Sequence, residues 1–528
     1  MSSPTLPPVP LEPARFRTVA WLTLLVLGIG LAWRLTRYFL AFPIWGDEVM
    51  LLVNYQTRGF LDIFGPIDNC QVAPLLFHWA ELCVWHTLGT SELALRLPAL
   101  LACLAALALL VWLARLTLPE SAQPLAVGIF AVSIWPVTMG SLCKPYAFDL
   151  FFGLALIVPL VLWHRQPTWI APLLALPLLG PLAVCCSYPA VFVAGGVGLA
   201  LLPLLWQRRH QPRWGQAVLL VGTYYLLLLS AFALHYYFVG RVHLASPVSG
   251  VTTAIGMDRY WQNGFPPEGI WPLFRWLVLI HTGQMAAHPL GAASGGSSLT
   301  ALAALIGLVV WWRTGKRTLV VLFVGTLLLW LLAAWLHKYP YGLSGRLSQH
   351  VGGLYCLLAG GGVAAVLARY SPAVQHRWTC GLLVVLALIG IAGIVRDILR
   401  PYRDEDARWG REVVKQLLRD HPEPIVVLGE PGVSPLDWYL LRHPDRVIWT
   451  AQPDWQQRIA GHNRVVVLGT VGQVIDERSQ IEQLLTQVGP GWRYLRRGCY
   501  RLDRPIAERF QECRHYHWVR PERVAGRG

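Results

Sequence analysis

Charged residues are scarce in this sequence. They make up 14% of its 528 residues, whereas about a quarter of the residues of a typical soluble protein are charged. The shortfall lies in long apolar runs, each close to the ~20 residues that a helix needs to cross a bilayer. Because lipid offers the backbone no hydrogen-bond partners, these runs are predicted to be helices. The composition therefore excludes a water-soluble globular protein.

Other absences narrow the class further. Short segments of alternating apolar and polar residues are missing, which excludes a transmembrane β-barrel. The ten cysteines form no metal-binding pattern. Cys499 and Cys513 lie in the polar C-terminal part of the chain, and they could form a disulfide bond if that part is extracytoplasmic. The first apolar stretch is too long for a cleavable signal peptide.

The apolar runs predict about eleven membrane-spanning helices between residues 18 and 399, behind a polar leader of residues 1–17. A shorter apolar run at 270–283 is compatible with a re-entrant or interfacial helix. The predicted spans are 18–40, 93–114, 122–142, 147–163, 168–186, 187–206, 215–238, 298–312, 318–336, 348–368 and 379–398.

Basic residues orient these helices. The net charge is +15, and lysine and arginine collect in the cytoplasmic loops of membrane proteins. A cytoplasmic N-terminus keeps basic groups such as Arg208-Arg209 and Lys316-Arg317 inside. This role explains the charge, and no nucleic-acid partner is predicted. The segments then predicted to lie outside are 41–92, 143–146, 239–297, 337–347 and the tail, 400–528.

The tail, residues 400–528, is a different kind of sequence. Residues 404–420 have the periodicity of an amphipathic helix. Short apolar runs at 424–428, 446–449 and 464–468 are typical of strands. Because helices are expected between and after them, at 437–441 and 477–488, the tail is predicted to be a small α/β domain.

Acidic residues number 29 against 44 basic ones, so their positions are informative. Asp47 and Glu48 directly follow the first predicted span, on the outer side. An adjacent carboxylate pair there could be a general base, a set of metal ligands, or solvated loop charge.

Cations and tyrosines occupy the other outer segments: Lys144 and Tyr146 in one, and Lys338, Tyr339 and Arg346 in another. A phosphate leaving group needs lysine or arginine to stabilise it. An acceptor hydroxyl needs a base to take its proton. Sugar transfer from a lipid phosphate needs both, although each cation alone could instead extend to lipid headgroups.

These residues form an ordered set of short motifs. Asp47-Glu48 follows the first span, Ser91 to Pro98 enters the second, Lys144-Pro145-Tyr146 enters the fourth, and Tyr339-Pro340 leads to Arg346 near the end. In order and spacing they resemble the GT-C-fold glycosyltransferases, in particular bacterial members of the group that includes protein O-mannosyltransferases and the aminoarabinose transferases that modify lipid A.

The resemblance implies a polytopic α-helical fold of the GT-C type, with a small extracytoplasmic C-terminal domain. It implies transfer of a sugar from a polyprenyl-phosphate donor to a lipid, polysaccharide or protein acceptor, outside the inner membrane. By the same resemblance Asp47, with Glu48 beside it, would be the catalytic carboxylate. The residues that would lie at the donor phosphate are Lys144, Arg346, Tyr146, Tyr339 and Lys338.

One departure concerns a metal. Many relatives carry an acidic residue just before the Lys/Arg-Tyr motif, where this chain has Gly140 to Cys143. A hard divalent cation prefers several oxygen ligands. No metal site and no certain cofactor is therefore predicted, and use of a divalent cation is left open.

Two other function classes compete with an enzyme. A transporter or flippase of an amphipathic substrate would carry ionisable residues within its spans and repeat symmetry between its halves. The predicted spans contain almost no such residues, and no repeat is visible. The other alternative is a non-catalytic membrane assembly protein in which the tail does the work, and Asp47→Asn would separate it from an enzyme.

Overall fold

The computed structural model describes residues 13–248, 251–427, 430–462, 464–469, 493–501 and 512–519. The helix expected at 477–488 lies outside these residues. In chain order the α-helices are α1 (Pro13–Phe39), α2 (Gly46–Leu52), α3 (Leu75–Leu88), α4 (Glu92–Thr117), α5 (Gln123–Ala131), α6 (Ile134–Met139), α7 (Tyr146–Arg165), α8 (Ala171–Cys186), α9 (Ala190–Gln207), α10 (Trp214–His235), α11 (Arg241–Ala245), α12 (Thr253–Tyr260), α13 (Ile270–His281), α14 (Ser298–Arg313), α15 (Arg317–Trp335), α16 (Gln349–Leu367), α17 (Pro372–Leu399), α18 (Glu405–Asp420), α19 (Pro435–Leu441) and α20 (Trp455–Ala460).

The strands form a two-stranded pair and a larger sheet. The pair is β1 (Pro247–Val248) with β2 (Val251–Thr252). The larger sheet contains β3 (Ile425–Val427), β4 (Val447–Trp449), β5 (Arg464–Gly469), β6 (Arg493–Arg501) and β7 (Glu512–Val519), in the order β4-β3-β5-β7-β6.

Within the described residues, eight helices are long and apolar enough to cross a membrane. They are α1, α4, α7, α9, α10 with its continuation to Ala245, α15, α16 and α17. Two shorter apolar helices, α8 and α14, coincide with two further predicted spans. The chain is therefore a multi-pass α-helical membrane protein, as the sequence predicts. Helix α13 corresponds to the short apolar run at 270–283.

The predicted span 122–142 differs, because it consists of α5 and α6 with a break at Val132 and Ser133. Buried Arg34 of α1 lies at this break. Its guanidinium donates hydrogen bonds to the carbonyls of Ala131, at 2.5 Å, and Phe130, at 3.4 Å. A broken helix is tolerated within a membrane protein where other protein groups satisfy the freed backbone, and Arg34 supplies those donors.

Close packing brings α7 against α16. A Cβ atom on Gly153 of α7 would meet the backbone carbonyl of His350 in α16, and one on Gly353 of α16 would meet Leu154. Small residues let helices approach closely inside a membrane. This contact matters for the site because α7 begins at Tyr146 and α16 begins three residues after Arg346.

A buried ion pair joins the first and last spans. Arg37 of α1 and Asp397 of α17 lie 2.8 Å apart, and both side chains are buried. The indole N–H of Trp33 donates to the same carboxylate at 2.8 Å. Arg37 also donates to the hydroxyl of Ser141 at 2.8 Å, in the turn that leads to α7.

The chain divides into two compact units. The first unit is Met1–Ala41 with Thr57–Pro401, and the second unit is Phe42–Gln56 with Tyr402–Gly528. The second unit thus contains the tail and the short helix α2. The tail itself is predicted to begin at about residue 400 from its composition, close to Tyr402.

The larger sheet belongs to the second unit. Strand β3 runs parallel to β4 and β5, and β7 runs antiparallel to β5 and β6. The predicted strands and the helices at 404–420 and 437–441 are present as β3, β4, β5, α18 and α19, which confirms a small α/β region. Strands β6 and β7 were not predicted. Their backbones place Tyr500 opposite Cys513 and Cys499 opposite Arg514, while the side chains of both cysteines lie outside the described part.

Candidate active site

The predicted site residues are divided between the two units. The second unit contains Asp47 and Glu48. The first unit contains Lys144, Tyr146, Lys338, Tyr339 and Arg346. Each group is described within its own unit.

Lys144 lies in the turn before α7 and is buried. Its Nζ donates a 2.6 Å hydrogen bond to Oε1 of Gln71, which is also nearly buried. A buried ammonium needs such a partner because loss of hydration disfavours its charge. Gln71 lies in the loop that leads into α3, so this hydrogen bond ties Lys144 to that loop.

His78 of α3 lies within electrostatic reach of Lys144. Burial, followed by the positive charges of His243 and Lys144, holds the pKa of His78 well below its ordinary value of 6.5. A neutral imidazole beside Lys144 adds no second positive charge to this part of the molecule.

Tyr339 lies among several of the predicted residues. Burial is the main cause that raises the pKa of its hydroxyl, followed by the negative charge of Asp149 and by Tyr146, whereas the positive charge of Arg346 opposes the rise. Tyr146 and Arg346 are thus close enough to Tyr339 to act on its hydroxyl electrostatically. Asp149 also acts on Tyr339 electrostatically, although it was not among the predicted site residues. Its Oδ1 accepts a 2.7 Å hydrogen bond from the hydroxyl of Ser187.

Arg346 is contacted by two aromatic residues of the loop 239–297. The guanidinium lies over the ring of Trp261, 4.7 Å from its centroid, and Nη2 donates to the hydroxyl of Tyr260 at 3.3 Å. Stacking and a hydrogen bond fix the plane of the guanidinium. A guanidinium held in a fixed plane can bind a phosphate through two parallel N–H···O hydrogen bonds. Lys338, by contrast, is exposed.

Asp47 and Glu48 differ in their surroundings. Both lie in the first turn of α2, but Glu48 is fully buried and Asp47 is half-buried. Oε2 of Glu48 accepts from the backbone N–H of Trp45 at 3.4 Å, so Glu48 closes the start of its own helix. Asp47 is therefore the better candidate for a base that meets a substrate.

Sequence reasoning missed Gln71 and His78 as neighbours of Lys144. Both lie in the segment 41–92, and no local pattern marks them because their contacts depend on tertiary packing. The contacts of Trp261 and Tyr260 with Arg346 depend on tertiary packing in the same way.

Within the part of the chain that the structure describes, no group of three or more histidine, cysteine, aspartate or glutamate side chains is placed so that it could hold a metal ion.

The chain is similar in structure to ArnT from Cupriavidus metallidurans. With ArnT in the apo state the TM-score is 0.51 at 12% identity, and with ArnT bound to undecaprenyl phosphate it is 0.53 at 13% identity. Both alignments cover 96% of this chain and 99% of ArnT. Archaeal AglB from Archaeoglobus fulgidus, in complex with an inhibitory peptide and a dolichol-phosphate, aligns with a TM-score of 0.42 at 11% identity over 86% of this chain and 69% of AglB.

No family model and no curated relative matches the sequence. ArnT has the GT-C fold. Because the similarity to ArnT extends over nearly the full length of both chains, this chain has the GT-C fold that the sequence motifs predict.

Proposed function

We propose that this protein is a glycosyltransferase that moves a sugar from a polyprenyl-phosphate donor to an acceptor on the outer face of the cytoplasmic membrane. The observation that carries the proposal is the grouping of Arg346, Tyr146 and Tyr339, with Lys144 held before the same helix as Tyr146. A fold alone does not define an activity. The fold nevertheless supports this one, since ArnT of similar structure is bound to undecaprenyl phosphate.

The proposed reaction is a single inverting displacement. The acceptor hydroxyl attacks the anomeric carbon of the sugar, and Asp47 takes the hydroxyl proton as the new C–O bond forms. The bond between the anomeric carbon and the phosphate oxygen breaks, and its electron pair stays on that oxygen. Arg346 and Lys144 stabilise the charge that develops on the released polyprenyl phosphate.

The neutral tyrosines have a separate role in this proposal. Because its pKa is raised, Tyr339 remains a hydroxyl at physiological pH and can donate a hydrogen bond to a phosphate oxygen. Tyr146, at the start of α7, would donate a second hydrogen bond to the same phosphate. Lys338 is exposed and would act only as a peripheral positive charge.

The decisive experiment measures undecaprenyl phosphate released by the purified protein in lipid nanodiscs. The donors are undecaprenyl phosphates that carry mannose, glucose, arabinose or aminoarabinose, with an extract of bacterial envelope lipids, polysaccharides and proteins as the acceptor mixture. We expect at least one donor to be consumed. Asp47→Asn should reduce the rate by roughly 100-fold or more, since it removes the base.

Asp68→Asn is the matched control because Asp68 is an exposed outer-loop carboxylate paired with Arg58. Its rate should equal that of the wild type. Full activity of Asp47→Asn would exclude the proposed base. Absence of both donor turnover and undecaprenyl phosphate binding would overturn the glycosyltransferase itself.

Topology provides a second test. The proposal requires the loops that carry Asp47 and Arg346 to face the outside of the membrane. Cysteines placed at Gln56 and Leu336, in a variant whose ten native cysteines are changed to serine, should both react with a membrane-impermeant maleimide added to intact cells. Labelling of only one of the two positions contradicts a shared outer site.

A further inference from the structure

The two residues that precede the Gly46-Asp47-Glu48 turn are held by the tail. The backbone N–H of Ile44 donates a 2.9 Å hydrogen bond to the hydroxyl of Tyr439 in α19. The guanidinium of Arg403 lies over the indole of Trp45, with its carbon 3.7 Å from the ring centroid. Both contacts lie within the second unit, and both involve residues more than 350 positions apart in sequence.

Helix α2 needs such external contacts. It has only seven residues, and a helix that short is unstable by itself because the cost of nucleating it is not recovered. Its direction is therefore set by its contacts with other elements, both those of its buried residues and those of the residues just before it. Trp45, the residue before its first turn, has an extended backbone with φ −99° and ψ 164°, and this is the residue that Arg403 covers.

The groups that hold α2 are themselves fixed. Tyr439 is only 5% exposed, and its helix begins with a capping box in which Ser434 and Asp437 hydrogen-bond to each other's backbone N–H groups. Arg403 directly precedes Asp404, which caps α18 by accepting from the N–H of Ala407 at 2.7 Å. A contact from a fixed group transmits position more accurately than one from a mobile loop.

The two supporting helices are also in backbone contact. A Cβ on Gly410 of α18 would lie 2.8 Å from the backbone nitrogen of Leu436 in α19, so these helices approach as closely as their backbones allow. Tyr439 in α19 and Arg403, which directly precedes the cap of α18, are therefore both supported by one packed pair of helices. Trp45 and Ile44 are held at two points by that pair.

We infer that Arg403 and Tyr439 are positioning residues, which hold α2 so that the carboxylate of Asp47 can take the proton of the acceptor. The C-terminal region is then part of the catalytic apparatus, in addition to any part it has in acceptor binding. This inference rests on the proposed function of Asp47. It makes a separate prediction about the segment Phe42–Gln56, which is measurable without any substrate.

The test uses the full-length protein with Arg403→Gln and Tyr439→Phe. Tyr439→Phe removes only the hydroxyl oxygen and keeps the buried ring. It therefore still tests the positioning role if Arg403→Gln does not fold. Arg408→Gln is the matched control: Arg408 lies in α18 over the ring of Tyr402, at 5.1 Å, and is exposed. Amide hydrogen exchange should become faster in peptides covering 42–56 for the two test variants and stay unchanged for Arg408→Gln.

Kinetics with the undecaprenyl-phosphate sugars named above give the second readout. A base displaced by a fraction of an ångström lowers kcat, by roughly 10- to 100-fold, while the KM for the donor changes less than about twofold. Arg403→Lys keeps the charge over Trp45 but loses planar stacking, so it should recover part of kcat. In the Asp47→Asn background, Arg403→Gln should cause no further loss, because residues that act as a unit are not additive.

The outcomes separate the two hypotheses. Full activity of Asp47→Asn overturns the proposed base, whatever Arg403 does. Loss of activity in Asp47→Asn, together with wild-type kcat and wild-type exchange in Arg403→Gln and Tyr439→Phe, overturns only the positioning role. A raised donor KM with unchanged exchange in 42–56 also overturns it.

Discussion

Gly153 of α7 contacts the backbone carbonyl of His350 in α16 so closely that no side chain fits between the two helices. The atom in the way is backbone, which cannot rotate aside. The helix that begins at Tyr146 and the helix that follows Arg346 are therefore held at a fixed separation. This separation sets the distance between two of the residues proposed to bind the donor phosphate.

Gly153→Ala is expected to force these helices apart. We expect a loss of about 1–3 kcal/mol in the free energy of unfolding, as for other overpacked cores, together with weaker binding of undecaprenyl phosphate. The measurement is the thermal unfolding midpoint in detergent micelles. Gly222→Ala in α10 is the control, because a Cβ there has nothing within 4 Å. Equal midpoints for the two variants would contradict the packing argument.

The ion pair between Arg37 and Asp397 makes a second prediction. Removing one partner of a buried pair leaves an uncompensated charge, at a cost of about 3–5 kcal/mol. Asp397→Ala should therefore lower the unfolding midpoint strongly. Arg396→Ala is the control, since Arg396 bonds the same carboxylate at 2.8 Å but its side chain is half exposed, and an exposed pair contributes about 0–1 kcal/mol. Similar losses in both variants would show that burial does not matter here.

How much of this fold can be predicted from the sequence depends on the range of the forces involved. Hydropathy and periodicity are local, so most of the spans and the strands β3, β4 and β5 were predicted to within a few residues, although α17 begins seven residues before its predicted start. The break between α5 and α6 was not, because it depends on the guanidinium of Arg34, which is 97 residues from Ala131 in the sequence. Strands β6 and β7 carry too many charged residues to have the apolar pattern of the predicted strands.

The candidate site likewise contains residues that the sequence predicts and contacts that only the folded chain brings about. Lys144, Tyr146, Tyr339 and Arg346 were predicted because a cytoplasmic N-terminus would place their loops on one side of the membrane and because their residue types suit a phosphate. Their contacts with other residues were not predicted. Gln71 lies 73 residues from Lys144 in the sequence, and only the folded chain brings their side chains together. Neither the contact of Arg403 with Trp45 nor that of Tyr439 with Ile44 has a local signal.

Acid should destabilise the protein partly through His78. Burial keeps its folded-state pKa well below the ordinary 6.5, so the unfolded chain binds the proton more tightly. The resulting contribution to stability is present above pH ~6.5 and is lost as the pH falls below that value. In His78→Gln, the unfolding midpoint should fall less between pH 7 and pH 5 than in the wild type.

Exposed His86, at the end of the same helix, supplies the control for this measurement. His86→Gln should follow the pH dependence of the wild type. If His78→Gln also follows the wild type, protonation of other groups accounts for the acid sensitivity and His78 is not responsible.

Binding of undecaprenyl phosphate tests Lys144 directly. Lys144→Gln removes a buried positive charge from the proposed phosphate site, and a hydrogen bond to a charged group contributes about 1.5–3 kcal/mol, so the Kd should rise by roughly 10- to 100-fold. Lys415→Gln removes the same charge from the exposed face of α18, where Lys415 pairs with Glu412 at 3.2 Å, and should leave the Kd unchanged.

The partner of Lys144 sharpens this prediction. Gln71→Glu adds a carboxylate 2.6 Å from the position of the ammonium, so it should neutralise Lys144 and repel the phosphate, and weaken binding as much as Lys144→Gln does. Gln71→Ala removes an uncharged acceptor, which an oxygen of the bound phosphate can replace as the partner of the buried ammonium, so its Kd should stay close to that of the wild type. Equal weakening by Glu and Ala would mean that Gln71 shapes the loop and that the charge of Lys144 does not reach the phosphate.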